Sequence, residues 1–191
     1  LRTPAFYIIT GSLFTLSMLV TALHVENKGI LMERGLSAQS AASMFAVTGI
    51  TAAITMPIVG RMLDRFRTEW MLSGGLLVMA VSLFSVTLVT GMSGAIIYAL
   101  IFGLNNAVTM TFVAFMWPRY FGRKHIGSIQ GTGQMIGVVG ASLGPLPLGI
   151  AFDLFGDYQI MLLSLASLPI VAGVLTQFLK EPTSAEKDKV N

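Results

Sequence analysis

Six apolar stretches, each about 20 residues or slightly longer, fill nearly all of the 191-residue chain and are separated by short polar or charged loops. That length of α-helix crosses the ~30 Å hydrocarbon core of a bilayer. The stretches lie near Pro4 to Val25, Ala38 to Val59, Trp70 to Thr90, Ser93 to Trp117, Ile126 to Phe152 and Gln159 to Leu179. The chain therefore reads as an all-α membrane protein with six transmembrane helices over residues 1–180 and a short tail over 181–191. Composition leaves no soluble alternative: 54% of residues are hydrophobic and 11% charged, with a mean hydropathy of +0.76, whereas a soluble domain carries about 25% charge.

The loops that carry the basic residues set an expected orientation. With the amino terminus inside, Arg2, Arg61, Arg65, Arg67, Arg119, Arg123, Lys124, Lys180, Lys187 and Lys189 are cytoplasmic, which leaves Lys28 and Arg34 outside. Both termini and the loops at 61–67 and 119–125 then face the cytoplasm, while 27–37 and 153–158 face out. The expected location is the cell membrane, plasma or bacterial inner. No basic cluster is interleaved with aromatics, so nucleic acid is not an expected partner. The chain has no cysteine, which excludes disulfides and thiolate metal sites. His24 and His125 show no ligand spacing, so no metal or cofactor is expected. Nor does any span carry a nucleophile with a base or a pair of carboxylates, so an intramembrane enzyme is not expected.

Three segments carry more specific information. The loop Gly60-Arg61-Met62-Leu63-Asp64-Arg65-Phe66-Arg67 is short enough to force its flanking helices into an antiparallel hairpin. There Gly60 is expected to allow the close turn, Asp64 to accept free amides of the next helix, and Arg65 and its neighbours to hold the anionic surface. The fifth stretch carries Gly131, Gly133, Gly137, Gly140, Gly144 and Gly149. Those at 133, 137, 140 and 144 share a helical face, where a neighbouring backbone can approach closely. Pro145 and Pro147 follow, and a kink or flexible segment is expected there.

The first loop resembles the signature loop of the major facilitator superfamily: Gly60, Asp64 and Arg65 fit, although Arg67 stands where glycine is usual, and Thr68 and Glu69 replace two basic residues. The run Gly140, Gly144-Pro145, Gly149, Asp153, Gly156-Asp157-Tyr158 is similar to the eleventh helix and following loop of the monocarboxylate-porter and oxalate/formate-antiporter branch. Trp117 to Ser128 is similar to that branch's preceding loop. The resemblance implies that the chain is the carboxy-terminal six-helix half of such a fold. It also implies a polypeptide about twice this length, in keeping with a chain that begins at Leu1 rather than methionine. The implied function is secondary active transport of a small solute, an organic anion or monocarboxylate, by alternating access. Its implied partners are the solute, the lipid bilayer, a missing amino-terminal half of the same polypeptide, and a coupled proton or counter-substrate. A non-transporting receptor or scaffold of the same fold is the alternative.

Polar residues at helical spacing nominate the wall of a wet cavity, because they should not face lipid. In the first stretch Thr3, Thr10, Ser17 and His24 recur every seven residues, with Thr21 and Lys28 filling the stripe. Tyr98, Asn105, Asn106 and Thr109 do the same in the fourth, Thr48, Thr51 and Thr55 line one face of the second, and the fifth offers Gln130 and Gln134. The third and sixth carry scattered serines, Ser82, Ser85, Ser164 and Ser167, as befits helices on the outside of the bundle. Singly, each hydroxyl is accounted for by a bond to its own helix backbone. Asn105 and Asn106 are costlier to bury and point to the cavity. His24, with an ordinary pKa near ~6.5, could exchange protons, although its distance along the helix sets it near the outer edge of the membrane, where it reaches water without a special role. No arginine or lysine stands in the middle of a stretch, which runs against a dicarboxylate.

Overall fold

The computed structural model describes residues 4–121 and 126–179. Arg2, Thr3, Arg123, Lys124, His125, Lys180 and the tail 181–191 lie outside the described residues. The chain forms α1 (Pro4–Glu33), α2 (Ala38–Arg65), α3 (Thr68–Thr87), α4 (Gly91–Phe121), α5 (Ile126–Leu143), α6 (Pro145–Phe155), α7 (Gln159–Leu165) and α8 (Ser167–Thr176), with no strand among the described residues. They make six crossings long and apolar enough for a membrane, α5 with α6 and α7 with α8 each being one interrupted crossing. α1 is the hub: α5 and α6 lie along it, and it also touches α2, α3, α4 and α8. α2 packs mainly on α4, and α8 on α3.

The helices begin about where the apolar stretches do; the first, second, fourth and fifth crossings run further, whereas the third and sixth end at Thr87 and Thr176, short of Thr90 and Leu179. α1 continues past Val25 to Glu33, 30 residues in all, or ~45 Å. A segment that has left the hydrocarbon still gains by closing its backbone bonds inside the helix. Gly35 ends it at φ +87°, which lets the Leu36 N–H reach the Leu31 carbonyl at 3.1 Å. Ser37 then starts α2 by accepting the Ser40 N–H at 3.2 Å.

The signature loop differs from expectation. α2 stays helical through Gly60 and Asp64 to Arg65, and extended Phe66 and Arg67 alone make the turn. Gly60 therefore makes no turn, and exposed Asp64 caps nothing. The negative charge at the start of α3 comes instead from Glu69, buried and ion-paired with Arg67 at 2.5 Å, which is what the helix dipole favours. The hydrogen-bonding gain of one more helical turn outweighs the slight helix cost of a glycine.

Two crossings are interrupted. In the fifth, Gly144 alone separates α5 from α6, and Pro145 is the first residue of the new helix, where a missing amide costs nothing. The break in the sixth, at Ala166, was not expected. Pro169 lacks the amide that would bond the Leu165 carbonyl and its ring crowds that oxygen, so the helix restarts there. Pro57 and Pro118 lie inside α2 and α4 without ending them.

Packing, rather than removal of apolar surface from water, holds helices together in lipid, and glycines bring two pairs to backbone contact. A Cβ on Gly140 would stand 2.8 Å from the Phe14 carbonyl oxygen, and one on Gly144 would run into the Met18 carbonyl and the Ala22 nitrogen of α1. A Cβ on Gly103 of α4 would stand 2.7 Å from the Thr48 carbonyl oxygen of α2. The expectation that the third stretch lies outside is not met. α3 buries Leu72, Leu76, Met79 and Leu83 against α1, α4 and α8. Every crossing keeps some apolar surface open, and the least buried are α2, which exposes Ile50, Ile54 and Ile58, and α5–α6, which expose Met135, Val138 and Ile150. Sparse serines do not report burial, since Ser82 bonds the Val78 carbonyl of its own helix at 2.9 Å and needs no neighbour.

Candidate solute-facing site

His24 sits on α1 nine residues before its end, about 14 Å of helix from Glu33 rather than at the helix tip. Its Nδ1 is 2.9 Å from the Val20 carbonyl. A carbonyl only accepts, so Nδ1 carries the hydrogen and Nε2 is left to take a proton or accept from a ligand. The ring lies 4.8 Å from Phe102 of α4 and 6.3 Å from Phe45 of α2, and Tyr98 stacks on Phe102 at 5.7 Å. Three helices thus meet in one aromatic cluster whose open edge is half-buried His24 and exposed Phe45.

The rest of the α1 stripe divides by height. Thr21 is half-buried beside His24, whereas the Ser17 hydroxyl faces α5, 3.4 Å from where Gly137 would carry a Cβ. Thr10 is buried.

The α4 stripe is not an open wall. Tyr98 and Asn105 have no exposed surface, and Asn106 and Thr109 are buried beside them. Asn105 Nδ2 donates to the Gly75 carbonyl of α3 at 3.4 Å, next to Val108, which fills the space left by that glycine. A neighbouring backbone, that of α3, thus takes the Nδ2 donor in place of cavity water, while the buried Asn105 Oδ1 has no partner among the described residues. Thr48 likewise donates to the Ala99 carbonyl across the α2–α4 contact at 3.4 Å, while Thr51 and Thr55 bond their own helix. Gln130 and Gln134 are exposed one turn apart on α5. The sequence-predicted residues therefore fall into an accessible set, Ser17, Thr21, His24, Gln130 and Gln134, and an enclosed set on α4.

The motif residues lie elsewhere. Asp64 and Arg65 are exposed at the end of α2, with Gly60 half-buried beside open space. Gly140, Gly144 and Pro145 form the α1 contact and the break described above. A Cβ on Gly149 would meet nothing within 4 Å, and Asp153 is exposed near the end of α6.

Several residues that do much of the positioning were not singled out. Gly75 and Gly103 seat α3 on α4 and α4 on α2, but single glycines carry no periodic signal. Trp117, nearly fully buried, lies over Gly133, where a Cβ would strike its ring. Arg119, read as a cytoplasmic charge within the Trp117 to Ser128 run, donates Nη1 to the Leu63 carbonyl at 3.1 Å and lies 5.1 Å over the Phe115 ring, tying α4 to α2. At the opposite end Tyr158 reaches Glu26 of α1, and Gln159 reaches Arg34 just beyond that helix.

These features can be set beside known proteins. A model of the Major Facilitator Superfamily matches residues 5–191. Multidrug resistance protein MdtG of Salmonella choleraesuis (strain SC-B67) is 28% identical over 173 residues, covering 89% of this chain and 41% of that protein. MdtG of Citrobacter koseri is 29% identical over 177 residues, with 89% and 41% covered, and MdtG of Dickeya zeae (strain Ech586) 28% over 183 residues, with 94% and 44% covered. The chain thus spans about two fifths of the length of these relatives. With six membrane-length helices and a family match over nearly every residue, the chain belongs to the Major Facilitator Superfamily.

Proposed function

We propose that the chain is the carboxy-terminal six-helix half of a secondary active transporter that moves a small solute by alternating access, the other half being supplied by the same polypeptide. The observation that carries the reading is the family match, together with relatives more than twice as long as the region they share with this chain. The open apolar faces of α2 and α5–α6 suit a second bundle packed against them. A site near mid-membrane between two such bundles would be walled on this side by Ser17, Thr21, His24, Gln130 and Gln134.

For the solute, a small and mainly apolar molecule is favoured over a monocarboxylate. Among the described residues the only cation on the later crossings is Arg119, already engaged at Leu63, and the relatives are named for multidrug resistance. His24 Nε2 is the group in the accessible set best suited to couple a proton to transport, a counter-substrate being the other coupling expected.

The test is accumulation of a fluorescent apolar compound and of a radiolabelled monocarboxylate in cells over-producing the whole polypeptide. Lower accumulation of the first, with no change in the second, is expected. A change in the monocarboxylate alone would overturn the solute assignment, and no change in either would favour a receptor or scaffold.

The proposed orientation has its own check in this cysteine-free chain. Gln39→Cys is expected to react with an impermeant thiol reagent added outside intact cells, and Arg65→Cys only after permeabilisation. Strong outside labelling of Arg65→Cys would reverse the topology.

A further inference from the structure

The turn between α2 and α3 departs from the superfamily's loop at Arg67, which stands where glycine is usual, and the structure shows what that arginine does. Its side chain is 77% exposed, yet one end is fixed, because Nη2 is held by the Glu69 carboxylate, buried at the start of α3. A guanidinium offers five donors, so this pairing leaves others open to solvent. The neighbouring charges are Arg61, Asp64 and Arg65, all exposed at the end of α2. Three arginines thus stand against one exposed carboxylate, and the accessible charge of the turn is positive.

α3 sets this charge at a defined depth. Its 20 residues, Thr68–Thr87, measure ~30 Å, the thickness of the hydrocarbon, so Arg67 just before it stands at the level of the lipid phosphates. Trp70, 67% exposed, lies in the first turn, the depth at which an indole favours the interface. Beyond it a single line of α3 stays uncovered: Gly74 is half-buried and Leu77, Val81 and Phe84 are exposed, while Leu72, Leu76, Met79 and Leu83 are buried against the bundle. A Cβ on Gly74 would meet nothing within 4 Å, so the line has a dent between the shoulders of Trp70 and Leu77. An acyl chain can bend into such a dent, whereas a helix resting on the two shoulders would leave it empty and forfeit those contacts. No charged residue occurs from Trp70 to Pro118, so the far end of α3 offers a headgroup no counter-charge.

We propose that this edge of α3 binds one anionic phospholipid, its phosphate on the open side of the Arg67 guanidinium and one acyl chain running past Trp70 into the dent at Gly74. Glu69 is the positioning residue, since it holds the guanidinium in place from the buried side. In the proposed orientation the lipid belongs to the cytoplasmic leaflet, which is rich in such headgroups. The site requires only that the chain cross a membrane, and it stands or falls separately from the transport reading.

The test uses phosphatidylglycerol or phosphatidylcholine with brominated acyl chains, which quench the fluorescence of a tryptophan they touch. The whole polypeptide is placed in phosphatidylcholine vesicles containing a rising fraction of one brominated lipid or the other. Subtracting the signal of Trp70→Phe isolates Trp70 from every other tryptophan. Brominated phosphatidylglycerol should quench Trp70 at about one fifth of the fraction that brominated phosphatidylcholine needs, the worth of one arginine at an anionic surface. That preference should vanish when Arg67→Gln is combined with Glu69→Gln, a pair that leaves no buried carboxylate without its partner. Leu88→Trp, made in the Trp70→Phe protein, reports the far end of α3 and should show no preference. Gly74→Leu fills open space, so it should leave the unfolding midpoint unchanged while weakening the quenching of Trp70 by both lipids. Equal quenching of Trp70 by the two lipids, a preference that survives the double substitution, or unchanged quenching in Gly74→Leu would overturn the site. Quenching by neither lipid would overturn it as well, by showing that a second copy or the other half of the polypeptide covers this face.

Discussion

Gly144→Leu is expected to part α1 from the fifth crossing and to lower stability by about 3 kcal/mol, the upper end of the usual cost of overpacking. The reason is what the new side chain would meet. Most overpacked sites relax when a neighbouring side chain changes rotamer, but the first atoms in the way at Gly144 are the Met18 carbonyl oxygen and the Ala22 nitrogen. Both are held in α1 by its own hydrogen bonds, so relief requires moving a whole helix. Even Gly144→Ala should therefore be costly. Gly149→Leu, five residues on with nothing within 4 Å, should be nearly neutral. Thermal unfolding midpoints in detergent separate the two, and a cysteine at half-buried Thr21, one residue from the contact, should become more reactive in Gly144→Leu alone. If the two leucine variants unfold together, the glycine face is not a packing surface. In the proposed transporter, the same variant should insert but move solute slowly, because α1 and α5 would no longer turn as one unit.

The crossings were legible because apolar length is a one-dimensional property: hydrocarbon thickness sets it and no partner is needed to read it. Four glycines on one face of the fifth stretch were legible for a related reason, since repetition at helical spacing has few explanations besides a close neighbour. Which neighbour was not legible, and it is α1. Polar residues misled where the same side chain serves two environments. Asn105 reads as cavity lining, yet its amide is used by the Gly75 carbonyl, a partner thirty residues away that leaves no mark on the local pattern. Gly60 and Asp64 read as turn and cap, but an α-helix that has left the membrane ends where its hydrogen bonding ends, at Phe66, rather than at the first glycine. The break at Ala166 was in principle readable from Pro169, whose ring acts on the carbonyl four residues back. The contact of Tyr158 with Glu26 joins residues 132 apart and follows only from the fold.

Phe102→Ala should cost about 3 kcal/mol, within the range for removing a fully buried aromatic side chain, and should loosen three helices at once. The ring has no exposed surface and is shared by His24 on one side and Tyr98 on the other. In water such a loss would combine the transfer of apolar surface with the cavity left behind. Between helices in lipid the transfer part largely vanishes, because hydrocarbon tails are as apolar as the ring, and what remains is the contact energy of an unfilled space. Ile97→Ala on the same helix distinguishes the two contributions. Ile97 is 59% exposed on an apolar crossing, so lipid replaces what the substitution removes and the unfolding midpoint should scarcely move. A large drop for Phe102→Ala with none for Ile97→Ala is the expected pair of results, accompanied by faster labelling of a cysteine at Phe45, whose nearest ring, His24, loses its backing. Equal losses at the two positions would mean that the cluster of α1, α2 and α4 is held by general apolarity rather than by the fit of these rings, and His24 would then have no defined orientation from which to take or give a proton.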